Sequence, residues 1–504
     1  VKALSSPVFY KEEPFPGAAA GKTVQEYIDE TPFWSDGTES PSIPMTRMQW
    51  WIWLLATAGK FFEGMIVFMI GVALPLIVQE FGLSAVEKGA VSAAPLLGIL
   101  VGASALGGLA DLLGRKRMFI VEMILFAISL SCLVLSSSFE WLMVFLFGVG
   151  AALGCDYPTA HMIISESIPT GERGKLVLGA FGFQAVGAIA GASVGYLVLY
   201  GNPQLGAWRW MFATAIIPAI LVVFGRFFIP DSGHWLVSRG RMKDAEREIQ
   251  KLLRRRPPYP KRISLVDPRA ESGKKRGSKP STGYGALFSR KLRRNTILAS
   301  VPWFLQDLGT YGIGIFTPTI LATVIGAKIM RPHNIAAVTH DAMQAAKGAA
   351  FIDVFLLIGV CFAILLADKV GRIGLQVFGF IGCAVGLFLA SLSVGMNGKV
   401  ETFFIFAGFM LFNFMTNMGP NAMTYLIAGE VFPTRIRGAG AGFAASFAKI
   451  GAVLTAFLFP VLLKDIGTQT LLYILVGTSL LGAFVTWVFR VETKGVSLEK
   501  VGDE

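Results

Sequence analysis

Apolar positions in this chain fall into long runs that short polar stretches interrupt. A bilayer core of about 30 Å needs about 20 apolar helical residues. Twelve runs meet that length: 50–79, 88–110, 118–137, 141–163, 174–199 and 207–229, then 296–325, 345–367, 374–396, 401–427, 438–463 and 467–490. They are too long for barrel strands and lack strict alternation. The pattern predicts an all-α membrane protein with twelve transmembrane helices, six on each side of a polar stretch.

That stretch, 230–295, opens on Asp231-Ser232-Gly233-His234-Trp235-Leu236, and a short amphipathic helix is expected over 242–253. Its remainder through 285 is basic and rich in Pro, Gly and Ser, which predicts a flexible loop. The expected organisation is a cytoplasmic tail 1–48, a first bundle 49–229, a basic cytoplasmic linker 230–295, a second bundle 296–490 and a cytoplasmic tail 491–504. The first tail is polar, shows no apolar core of a secretory signal, and is expected to be partly disordered.

The two halves repeat. GGLADLLGRKR (107–117) has a counterpart in LLADKVGR (365–372), with Asp and Arg at the same spacing. Glu166, Pro169, Thr170, Arg173 and Gly174 match Glu430, Pro433, Thr434, Arg437 and Gly438 at identical internal spacing. Two motifs repeated in one order point to a duplicated six-helix unit, a known transporter architecture.

Composition fits lipid as the solvent: 54% of residues are hydrophobic and 15% charged, with 57 Gly and 40 Phe. The formal net charge of +12 sits largely in the linker and the loops of one side, such as Arg254-Arg255-Arg256 and Lys274-Lys275-Arg276. That placement predicts the positive-inside rule and not nucleic-acid binding, so both termini are expected in the cytoplasm of a cell membrane. An anionic-lipid site is the sharper alternative. Cys132, Cys155, Cys361 and Cys383 lie in apolar runs without ligand spacing and read as small core residues. His333 and His340 read as ordinary polar residues. There is no phosphate-cradling Gly loop, metal cluster or nucleophile–base set, so neither cofactor nor enzyme chemistry is expected, and transport should draw on an ion gradient.

These features together resemble the major facilitator superfamily over about 50–500. Asp111…Gly114-Arg115-Lys116-Arg117 is similar to its loop signature; Asp231-Ser232…Trp235-Leu236 and Glu492-Thr493-Lys494-Gly495 are similar to the sugar-porter branch. The resemblance implies two pseudo-symmetric six-helix bundles. It also implies gating by Asp111, Arg115, Glu166, Arg173, Asp368, Arg372, Glu430 and Arg437, as a breakable charge-and-dipole latch between halves. A narrower set resembles the phosphate:proton symporters of fungi and plants: GCDYPTA (154–160), Gln184, WFLQDLGTY (303–311), MGPNAMTY (418–425) and Lys449. It implies substrate binding by Tyr157, Gln184, Trp303, Asp307, Tyr311, Asn421 and Lys449, and proton coupling by Asp156.

Ionisable groups at membrane depth usually face a partner or a wet cavity. Trp303, Asp307 and Tyr311, at steps of four, share one helix face. The donors suit a phosphate anion, and a carboxylate can accept from its P–OH. Alignment through Gly59 places one family acid on Glu63, a second candidate proton carrier, and the other on Ile66. Glu63 is also within reach of Lys60, so a local ion pair is the competing reading. Glu122 is a further possible match. The expectation is proton-coupled phosphate uptake by alternating access. An organic-anion or sugar carrier, and a non-transporting sensor or subunit, are the alternatives.

Overall fold

The computed structural model describes residues 8–9, 22–31, 33–34, 43–106, 109, 113–254, 263–265, 284–326, 335–396, 398–433 and 436–493. A short helix α1 (Val24–Ile28) precedes the first six-helix set. That set is α2 (Arg47–Phe81), α3 (Ala85–Val101, extended by a π turn over Gly102–Leu106), α4 (Arg115–Val134), α5 (Phe139–Ser167), α6 (Thr170–Gly201) and the pair α7 (Ala207–Ala213) and α8 (Ile216–Phe227). Linker helices α9 (Gly233–Ser238) and α10 (Met242–Leu252) follow. The second set is α11 (Arg293–Gly326), α12 (Ile335–Val370), α13 (Arg372–Ser391), the pair α14 (Lys399–Met418) and α15 (Pro420–Glu430), and α16 (Arg437–Val488).

Each of the twelve apolar runs falls mainly on helix, but the continuity differs in three places. Pro218 offers no N–H to the Thr214 carbonyl, and the sixth run divides there. The tenth divides at Gly419–Pro420 for the same reason. The eleventh and twelfth, grouped as α16, are two helices that follow directly on one another across Gly467, whose φ of 75° and ψ of 168° are not helical. Ten helices among the described residues are long and apolar enough to cross a membrane; α11, which carries the candidate site's polar side chains, is not among them. The β structure among the described residues is one antiparallel pair of two-residue strands, Val8–Phe9 with Phe33–Trp34, and a bridge from Lys22 to Leu265.

Helix starts follow from local chemistry. Thr46 with Gln49, and Ser84 with Glu87, form capping boxes that satisfy the first free N–H groups of α2 and α3. Small residues then set the packing, because lipid gives helices no hydrophobic reason to associate. Gly64 of α2 lies so close to α6 that an added Cβ would stand 2.0 Å from the Gln184 carbonyl oxygen. Large apolar side chains such as Leu197, Phe224, Phe362, Phe403 and Phe484 face outward. Cys361 is exposed too and Cys132 half-buried; only Cys155 and Cys383 are the core residues expected of all four.

The halves meet through α2 with α11, α3 with α16, and α6 with α12. On the side opposite the linker they approach to backbone contact: a Cβ on Gly71 would lie 2.1 Å from the Ile315 carbonyl oxygen, and one on Gly89 2.2 Å from that of Phe457. On the linker side the gap between halves holds a cavity of ≈ 180 Å³ lined by Lys175, Asp368, Arg372 and Glu430 among others.

The tail before α2 is not simply unstructured. Residues 22–31 fold against the linker helices, with Val24, Tyr27 and Ile28 in one apolar cluster with Leu236, Ile249, Leu252 and Leu265. Most of the basic loop, 255–262 and 266–283, lies outside the described residues, as do His333 and residues 494–504.

Candidate functional site

The repeated motifs sit on the linker side, and their backbone explains their glycines. Gly114 and Gly371 each precede a motif arginine with φ near +100°, a region closed to side chains. Arg115 then reaches Glu166 at 3.4 Å, and Arg372 reaches Glu430 at 3.2 Å and Asp368 at 2.9 Å. The segment after each half completes the same arrangement. Ser232 donates to Glu166 and Thr493 donates to Glu430, while Glu492 accepts the N–H groups of Arg372 and Ile373 at 3.1 Å. These pairs lie within one half each: the loops that carry Arg115 and Glu166 belong to the same bundle, as do those that carry Arg372 and Glu430. Arg173 is taken by Gln25 of the tail at 3.3 Å. Asp111 and the Arg437 side chain lie outside the described residues. Burial, with the nearby Arg173 charge, holds His234 below the ordinary histidine range against the opposing pull of Glu166.

Midway along the helices a second set converges. Gln184, Trp303, Asp307, Tyr311, Asn421 and Lys449 line one cavity together with Lys60 and Glu63. Lys449 stands 3.3 Å from Asp307 and 3.6 Å from Glu63, and it donates to the Tyr311 hydroxyl at 2.5 Å. Tyr311 donates to Glu63 at 2.9 Å, and Gln184 reaches both Glu63 (3.4 Å) and Tyr311 (3.3 Å). The Lys60–Glu63 pair is formed, at 2.5 Å along α2, but Glu63 is shared with the second half and is not held by Lys60 alone. Six of the seven expected substrate residues are thereby brought together; the Tyr157 side chain lies outside the described residues. The cavity volume is ≈ 20 Å³, room for about one water, because the ion pairs themselves fill the space. Toward the linker side it is closed by stacked Phe181 and Tyr425 (5.1 Å) and by Trp303 edge-on to Tyr425 (6.2 Å).

Asp156 does not join that cluster. It pairs at 2.5 Å with Arg226, a residue with no exposed surface, which also contacts Glu122 at 3.3 Å and donates to the Phe119 and Leu55 carbonyls. Asp156 does line an adjoining cavity whose wall includes Gly59, Lys60, Glu63 and His161. It therefore faces the other side of the Lys60–Glu63 pair. Sequence reading missed Arg226, although a lone arginine in IIPAILVVFGRFF carries the same signal that singled out Asp307. It also missed Asp353, one acid in AAFIDVFLL.

The family described as "Sugar (and other) transporter" matches residues 46–504. The putative metabolite transport protein YaaU of Escherichia coli is 28% identical over 453 residues, covering 90% of this chain and 94% of its own. A probable inorganic phosphate transporter, 1-6 of Arabidopsis thaliana, is 29% identical over 452 residues, covering 82% and 84%. Among solved structures, a partially occluded inward-open form of the xylose transporter XylE from E. coli superimposes with a TM-score of 0.72 at 21% identity, over 90% of this chain and all of that one. The fold is that of the major facilitator transporters.

Proposed function

This chain belongs to the sugar (and other) transporter family, and on that premise we propose that it carries a small anion, inorganic phosphate, together with protons by alternating access. The observation that carries the reading is Lys449 poised between Asp307 of its own half and Glu63 of the other. Lys60, Lys449, Glu63 and Asp307 balance in charge where they stand. An anion entering that balance at membrane depth brings an uncompensated charge, which is costly unless a proton comes with it. Protonation of Glu63 or Asp307 weakens its hold on the lysines and frees ammonium groups for the anion. Trp303, Gln184 and Asn421 add neutral donors, and Asp307 accepts from a P–OH that sulfate at neutral pH does not offer.

The same step supplies the motion. The bonds from Lys449 and Tyr311 to Glu63, and from Gln184 to Tyr311, join the halves across their boundary. Halves that rock about a midplane site must exchange these contacts, whereas Asp156–Arg226 moves as part of one half. A hydroxylated substrate is the second reading, favoured by the amides of Gln184 and Asn421 beside the Trp303 ring.

Purified protein in proteoliposomes with an acid exterior is expected to accumulate radiolabelled phosphate, to lose accumulation when the gradient is collapsed, and to ignore sulfate. Thermal stabilisation by xylose or glucose but not by phosphate, from a preparation that takes up no phosphate, would overturn the anion reading in favour of the sugar one.

A further inference from the structure

The second half buries an acid that the central site does not use. Asp353 lies at the middle of the 36-residue α12 and is 3% exposed. Its recorded partner is Asn413 of α14, whose amide donates to it at 3.1 Å and to the Ile352 carbonyl at 3.4 Å. Helices α2, α6, α11, α13, α14 and α15 pack against α12. Among the described residues none of them offers Asp353 an ion pair: Lys60, Glu63, Asp307 and Lys449 of the neighbouring site engage one another.

Asn413 begins a ladder. Asn413 and Asn417, four apart, share one face of α14, and Asn421 follows across the break on α15. Asn417 donates to the Leu356 carbonyl at 2.9 Å, which ties α14 to α12 a second time. Asn421 donates to Asn417 at 2.6 Å and also lines the central cavity. Between its last two rungs the helix is broken at Gly419–Pro420, so the Asn421–Asn417 bond staples the two pieces where backbone bonding is interrupted.

We propose that Asp353 is a second proton-binding site, which acts through the asparagine ladder to position Asn421 and the α14–α15 break. A carboxylate without a cation at this depth is unfavourable, whereas the neutral acid can accept the Asn413 N–H and keep the ladder seated. Loss of the proton demands water or a new donor at Asp353, which the packed α12–α14 contact admits only by shifting Asn413. That shift reaches the break through Asn417. Proton occupancy and the setting of α15 are then linked, each biasing the other. Asp353 is a positioning residue here; it touches no substrate.

The test needs no substrate in its first arm. Infrared difference spectra of detergent-purified wild type and Asp353→Asn are expected to show a protonated-carboxyl stretch at neutral pH that the variant lacks. Asn413→Leu, as a second variant, should shift that band. Identical carboxyl bands in wild type and Asp353→Asn would show an ionised Asp353 and overturn the proposal. The second arm rests on the phosphate reading. In proteoliposomes Asp353→Asn should lower gradient-driven phosphate uptake at least about tenfold and flatten its pH profile, while phosphate exchange at equal pH stays within about twofold. An unchanged pH profile beside a lost carboxyl band would leave Asp353 a structural contact and equally overturn the proposal. Should wild type move no phosphate, the phosphate reading fails and the infrared comparison alone decides on Asp353.

Discussion

The two halves hold acid at membrane depth by opposite means. In the first, Asp156 and Glu122 share the guanidinium of Arg226, which is stacked on Phe119 and bonded to two carbonyls. In the second, Asp353 has an amide. Between them, at the boundary, Glu63 of the first half meets Lys449 and Tyr311 of the second. The difference teaches where function can reside. A charge paired inside one half rides with that half. Charges compensated across the boundary must separate when the halves move, and an acid held by an amide alone is free to exchange a proton.

The sharpest way to break this comparison is Arg226→Leu, which leaves two buried acids without their cation. It should cost about 3–5 kcal/mol, visible as loss of monodisperse protein and a large fall in thermal midpoint. A variant of near wild-type stability would mean that the triad does not hold the first half together. Asp353→Asn, by contrast, should leave the midpoint nearly unmoved.

Next come the contacts that close the side opposite the linker. Gly71→Leu or Gly89→Leu drives a side chain into a backbone carbonyl of the other half. Overpacking of this kind costs about 1–3 kcal/mol, which rocking apart can relieve. In a cysteine-free background, labelling of Ile99→Cys in the cavity wall should rise several-fold from that side. Unchanged labelling would show that the two glycines are not part of a closing surface.

Asp307→Asn tests the boundary cluster itself. Lys449 keeps Glu63 and Tyr311, so the fold should survive, but uptake should fall at least about tenfold, equivalent to about 1.4 kcal/mol. Wild-type kinetics would remove Asp307 from the site.

The smallest effect is expected where the two halves are alike. Thr493→Val deletes one hydrogen bond to Glu430, whereas Ser232→Ala deletes one to Glu166 and also the helix cap that Ser232 accepts from the Trp235 N–H. Thr493→Val should cost about 0.5–1.5 kcal/mol, and Ser232→Ala about 1 kcal/mol more for the lost cap. A Ser232→Ala cost no larger than that of Thr493→Val would show that the cap adds nothing to the linker-side network.

Much of this molecule was legible along the chain because its causes are local. Twelve apolar runs, the Gly–Arg motifs with their forbidden-φ glycines, and the face shared by Trp303, Asp307 and Tyr311 depend only on residue type and helical spacing. The capping pairs at Thr46 and Ser84, which sequence reading did not single out, are equally local. Partner choice was decided elsewhere. Nothing near Asp156 in sequence announces Arg226, 70 residues away, and nothing near Glu63 distinguishes its neighbour Lys60 from Lys449, which comes from the other half. The gating motifs read as a bridge between halves, while Arg115–Glu166 and Arg372–Glu430 each pair inside one bundle. Residues 22–31 read as a loose tail and docked on the linker helices. The physical reason is common to all of these: a helix's composition determines that it crosses a bilayer and which face is polar, but a buried charge is satisfied by whichever helix the packing sets beside it. Only the assembled twelve-helix body fixes that neighbour.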